Sequence, residues 1–232
     1  MKKPPASDQI LQVVYDNGVI RGERVRAGAD TIAAFPAVAE FAEHFRKTNL
    51  SDLRYRPRDE FAKLSLLHEE CEGIAPRPLG VTQTTLLQEF VDGKTLMTHN
   101  PFVPTRGVTP VTGFTRLPDL WNMAEGAYAE VQKLHEAGFV HGDMHLDNVV
   151  IQKSGKARLI DFESLRQPQS EDEFTEDLEQ IVAFGALISR AGHTPGPGEF
   201  GLAVRRAPVP MHLPGPPLGR AESPSCVFAI RA

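Results

Sequence analysis

Leu134 to Leu165 reads LHEAGFVHGDMHLDNVVIQKSGKARLIDFESL, and this stretch decides the fold. Its loop HGDMHLDN carries Asp143 ahead of Asn148. The apolar run Val149, Val150, Ile151 predicts a short strand, closed by a polar turn at Ser154, Gly155 and Lys156. A second strand, Ala157 to Ile160, delivers Asp161 and Phe162 at its end. Two carboxylates and one amide thereby reach one end of a small hairpin. Hard oxygen donors gathered there suit a metal-bound triphosphate meeting an attacking hydroxyl, the arrangement that phosphoryl transfer needs.

His141, Asp143 and Asn148, followed by Asp161 and Phe162, resemble the catalytic loop and metal-binding motif of the protein-kinase-like superfamily. Gly142 stands where most protein kinases carry arginine, and His145 where serine/threonine kinases usually carry lysine. The spelling is therefore closer to the branch of aminoglycoside phosphotransferases and other small-molecule kinases. Glu163 replaces the usual glycine after Asp-Phe. The resemblance implies an α+β, two-lobed kinase-like fold and a kinase that moves the γ-phosphate of ATP, with Mg2+, to a hydroxyl acceptor. By the same resemblance Asp143 takes or orients the acceptor proton, Asn148 and Asp161 hold magnesium, and His141 braces the loop from behind. His145 is either a contact to the phosphate or acceptor, or a plain loop residue.

A chain of 232 residues is long enough for one domain or two lobes with a buried core. Its net charge of −5 supplies no basic footprint for nucleic acid or an anionic membrane. Cys71 and Cys226 make no disulfide framework, which fits a reducing compartment. Lys2 and Lys3 open like a signal peptide, but Pro4, Pro5, Ser7 and Asp8 follow where its apolar core belongs. With no apolar run of membrane-spanning length, the expectation is a cytoplasmic enzyme without nucleic-acid or membrane partners.

Ile10 to Val14 and Val19 to Val25 flank Asn17 and Gly18 and predict a hairpin. Gly18, Gly22 and Gly28 do not match a phosphate-binding glycine loop and read as turn glycines. Asp30 and Thr31 predict the cap of a helix through Ala33, Phe35, Val38, Phe41 and Phe45, with Pro36 in its first turns, and Lys47 falls on that helix. Asp59 to Glu70 predicts a second helix with Phe61, Leu64, Leu67 and His68 on one face. Its Glu60 is the candidate for the kinase glutamate that pairs a phosphate-binding lysine, or else a solvated acid favoured by the helix dipole. No lysine stands in a predicted strand before Glu60, so that partner is missing from its expected place.

Thr84 to Val91 predicts a buried strand, and LLQEFVDGKTL resembles the hinge that joins the kinase lobes. The resemblance assigns the Glu89 carbonyl and the Val91 amide to adenine, with Gln88 behind them. His99 to Pro118 reads as a loop and Asp119 to Ala137 as a helix stopped by Gly138. His135 on that helix reads as structural. Glu176 to Ile188 predicts an amphipathic helix whose Asp177 is a capping acid, or an anchor of the catalytic loop. About a third of residues 192–232 are glycine or proline, which predicts an unstructured tail. The kinase-like domain is therefore bounded at 1–191, with a small lobe over about 10–90 and a large lobe over about 92–190, either of which is incomplete.

Two rivals follow. The missing lysine, the missing glycine loop and the short large lobe motivate a catalytically inactive pseudokinase, a nucleotide-binding or interaction module. The alternation of His141, Asp143 and His145 motivates a hydrolytic metal site, although zinc-type spacing is absent. The acceptor, small molecule or protein, and the oligomeric state are left open by the sequence.

Overall fold

The structure, a computed structural model, describes residues 6–51, 55–71, 73–102 and 116–206. Strands β1 (Gln9–Asp16) and β2 (Ile20–Arg26) form the predicted hairpin. Asn17 builds its turn by accepting from the amides of Val19 and Ile20, and Gly18 supplies the left-handed φ of +78°.

The next segment departs from expectation. In place of one helix to Phe45 there are α1 (Ala29–Ala34), a 3-10 turn at Pro36–Glu40 and a strand, β3 (His44–Asn49). Proline disfavours helical geometry at the residue before it, and Phe35 ends α1 at φ −134°, ψ 81°. The aromatic residues still face a core, but from separate elements. Phe35 and Phe41 pack on Ala27, Val38, Leu79 and Leu87.

With β4 (Pro78–Val81) and β5 (Thr85–Glu89), these strands form an antiparallel sheet in the order β1-β2-β3-β5-β4. β3 runs through its middle, with Lys47 opposite Gly22 on one side and Leu86 on the other. Helix α2 (Pro57–Glu70) packs across β3, β4 and β5, burying Leu64 and Leu67 completely. Each such leucine contributes about 1.5–3 kcal/mol.

A second, three-stranded sheet joins β6 (Gly93–Thr95), β7 (Val149–Gln152) and β8 (Ala157–Leu159). After the short α3 (Leu96–His99), helix α4 (Leu117–Glu136) lies against β8 and against α5 (Asp172–Arg190). Leu120, Ala124, Ala127, Val131 and Leu134 form its fully buried stripe. The architecture is α+β, an antiparallel sheet followed by a mainly helical part, as an incomplete kinase-like fold requires.

The tail also departs from expectation, since Glu199–Arg206 form α6. The Phe200 ring sits 5.0 Å from both Trp121 and Tyr128 of α4, and Val204 is buried beside it. Two apolar residues one helical turn apart give this helix a face, which the surrounding glycines and prolines obscure in the sequence. Residues 207–232 of the predicted tail and 103–115 of the predicted loop lie outside the described residues. Among the described residues, no helix is long and apolar enough to cross a membrane.

Candidate active site

A cleft of about 440 Å³ opens between the two sheets. Its walls are apolar where Val14, Phe45, Val91, Val150 and Ile160 meet, and polar where Lys47, Glu60, Asn148 and Asp161 converge. Of the six residues singled out from the sequence, Glu60, Glu89, Val91, Asn148 and Asp161 line this cleft. Asp143 stands on the adjoining loop with its side chain 55% exposed and Oδ2 3.9 Å from His145 Nε2.

The lysine absent from its predicted place is Lys47. On β3 it points into the cleft, 3% exposed, with Nζ 2.9 Å from Glu60 Oε2 and 2.7 Å from Asp161 Oδ1. Glu163 Oε2 lies 3.4 Å away, and the Tyr55 ring centroid 4.5 Å. Burial pushes an ammonium down, but Glu60, Asp161, Tyr15 and Glu163 outweigh it and hold Lys47 above its ordinary range. It is therefore charged at any physiological pH. Burial likewise raises the Glu60 carboxyl, against the pull of Lys47. Glu60 is thus no solvated acid of a helix start. Its Oε2 holds Lys47, and the Tyr55 hydroxyl helps to hold the carboxylate.

The loop from His141 to Asn148 is fixed from beneath. Asp177 Oδ2 accepts from the His141 amide at 2.6 Å and meets His135 Nε2 at 3.2 Å, while Oδ1 accepts from the Gly142 amide at 3.0 Å. Burial acts to raise this carboxyl, but the three donors prevail and hold it below the ordinary carboxylate range. The plain capping role gives way to the loop anchor. Gly142 adopts φ +77°, and a Cβ there would meet Arg166 Nη1 and, at 2.6 Å, Ser164 O. An arginine side chain has no room at this position. His141 is fully buried, its ring nitrogen Nε2 3.0 Å from Ile160 O and its ring 5.0 Å from that of Phe162. Burial lowers its pKa, so the neutral imidazole donates Nε2–H to that carbonyl and ties the loop to β8.

Asp161 adopts φ +64°, the left-handed region, which costs a non-glycine residue about 1–2 kcal/mol. Asn148 gives Nδ2 to Asp143 O at 2.8 Å and His145 Nε2 at 3.1 Å. With both amide hydrogens engaged, the group it retains is its carbonyl oxygen. Asp161 and Asn148 thus offer hard oxygen donors on one cleft, a set that fits magnesium. Glu60, Asp161 and Glu163 also bring carboxylate oxygens within 4.8 Å of one another. The hydrolytic reading fails, because among the described residues His141, Asp143 and His145 form no such group and His141 is turned to Ile160.

One further residue escaped the sequence. Arg158 of β8, 8% exposed, donates to Ala75 O at 2.8 Å and to Glu89 Oε2 at 3.2 Å, tying the second sheet to the predicted hinge. Glu163 reaches Lys47 across the cleft. The lysine had one legible signal, its position 13 residues before Glu60.

A family model described as the RIO domain matches residues 37–186. The match runs from the 3-10 turn before β3 into α5 and so includes Lys47, Glu60, the loop from His141 to Asn148 and Asp161. No curated protein matches the chain.

Proposed function

The chain belongs to the RIO domain family of atypical, protein-kinase-like, ATP-binding phosphotransferases, and on that premise we propose that it transfers the γ-phosphate of ATP to a hydroxyl acceptor with the help of Mg2+. The observation that carries this reading is the buried Lys47–Glu60 ion pair facing Asp161 across one cleft. A lysine so held is a fixed positive charge for phosphate oxygens, and Glu60 prevents it from swinging away.

The apolar end of the cleft takes the adenine, with the Glu89 carbonyl and Val91 amide reading its edge. Lys47 exchanges Asp161 for the phosphates when nucleotide enters. Asp161 and Asn148 would hold magnesium, which would supply positive charge to neutralise the phosphate oxygens. Asp143 orients the acceptor hydroxyl and takes its proton as the oxygen–phosphorus bond forms and ADP leaves with the bridging oxygen. Exposure of Asp143 leaves room for an acceptor beside it. The acceptor hydroxyl belongs to a small molecule or to a protein, and Gly142 and His145 do not choose between them. Lys47 also removes the missing lysine as a reason to read the chain as a pseudokinase.

The test is calorimetry of ATP binding with and without Mg2+, on the chain and on Asp161→Ala, followed by ATP turnover on Asp143→Asn. Metal-dependent binding lost in the first variant, with turnover reduced roughly 10²- to 10⁴-fold in the second, is the expected result. A folded chain that binds no nucleotide refutes the proposal, binding without turnover in the parent leaves the inactive module, and turnover equal in Asp143→Asn and the parent refutes the role given to Asp143.

A further inference from the structure

Glu163 occupies the place where the related motif carries glycine, and its surroundings aim it at Lys47. Phe162, fully buried against His141, fixes the 3-10 turn Phe162–Ser164 from one side. Lys63 of α2 donates to the Glu163 carbonyl from the other. So anchored, the side chain extends to Lys47 at 3.4 Å and places its carboxylate within 4.8 Å of those of Glu60 and Asp161. Three carboxylates therefore surround one ammonium. Lys63 is held by the Glu163 carbonyl and only partly offsets the Glu60 and Glu163 charges, while Arg166 pairs with Glu173 at 3.2 Å.

We propose that Glu163 sets the selectivity of this cleft for the metal-bound over the free nucleotide. The inference rests on the phosphotransferase reading above. A bare nucleotide brings several negative charges to a site that already holds an excess of them, and it must draw Lys47 away from Asp161 and Glu163. A nucleotide carrying a divalent cation meets the same carboxylates with a positive charge foremost. Glu163 thus opposes the first ligand and favours the second, and nucleotide and metal become thermodynamically coupled through it. A glycine in its place leaves one carboxylate fewer and weaker coupling. Because the Glu163 side chain is 42% exposed, solvent screens its charge, and its share of the coupling is roughly tenfold rather than hundredfold.

The experiment titrates the full chain with ADP, in EDTA and in Mg2+, for the parent, Glu163→Gln and Glu163→Asp, reading the ratio of the two dissociation constants by calorimetry and the ADP-induced shift in melting temperature alongside. The expected result is a ratio about tenfold smaller in Glu163→Gln, chiefly through tighter binding of free ADP, and largely retained in Glu163→Asp. An unchanged ratio in Glu163→Gln overturns the inference while leaving the function intact. So does an equal fall in Glu163→Asp, since charge is then not the cause. Failure of the parent chain to bind ADP in Mg2+ overturns both, and it is read on the parent alone.

Discussion

Replacing Lys47 by methionine keeps the apolar stem of the side chain and deletes its charge. The consequence for stability follows from which partners are buried. Asp161 and Glu163 have side chains 36% and 42% exposed and regain water, whereas Glu60 is 1% exposed and does not. A buried carboxylate stripped of its partner costs about 3–5 kcal/mol. For a domain of this size that lowers the melting temperature by about 10 °C. The loss depends on pH in a definite direction. Burial already raises the Glu60 carboxyl, and without Lys47 its chief offset is gone, leaving only the Tyr55 hydroxyl to oppose it. A group whose folded pKa lies above its unfolded one contributes full stability below the unfolded value and loses it as pH rises through the folded value. Lys47→Met is therefore most destabilised at pH 8 and approaches the parent near pH 5. Urea denaturation across that range measures the gap, and Lys47→Met/Glu60→Gln narrows it at pH 8 without restoring nucleotide turnover. A single variant as stable as the parent at pH 8, or equally destabilised at every pH, refutes the buried ion pair as described.

Asp177→Asn replaces an acceptor of three hydrogen bonds by an amide that turns one donor face toward donors, at a cost of about 3 kcal/mol at pH 7. The parent's carboxyl is held low, so its contribution is present above the unfolded carboxylate range and lost as pH falls through the folded value. Urea midpoints of parent and variant should converge toward pH 3, and a constant gap counts against the anchor. Phe200→Ala removes a ring packed on Trp121 and Tyr128, worth about 3–5 kcal/mol of local docking. Faster amide exchange across Glu199–Arg206 and altered Trp121 emission are expected, and an unchanged α6 shows that this helix does not depend on that contact.

The catalytic loop, the hairpin after it and the Glu60 helix were legible because their signals are local. Asn148 and Asp161 flank two strands with clear apolar runs, and Leu64 and Leu67 mark the face of α2 on their own. Asp177 was legible only as one of two alternatives, since its partners His141 and Gly142 lie 36 and 35 residues away. α6 was hidden because a helix of eight residues gains its stability from docking Phe200 and Val204, not from its own composition.

The sequence by itself determined the chemistry on offer: the loop that carries Asp143 and Asn148, the strand that delivers Asp161, and the α+β order of elements around them. Only the tertiary structure decided that Lys47 is the partner of Glu60. HFRKTN has no apolar alternation to declare a strand, while the aromatic residues before it mimic a helical period. What makes it a central strand is pairing with β2 and β5 on either side, and what brings its lysine into the cleft is burial among three carboxylates contributed by α2 and the segment after β8. Strand pairing and ion pairing of this kind join residues up to 116 positions apart, and no local pattern encodes them.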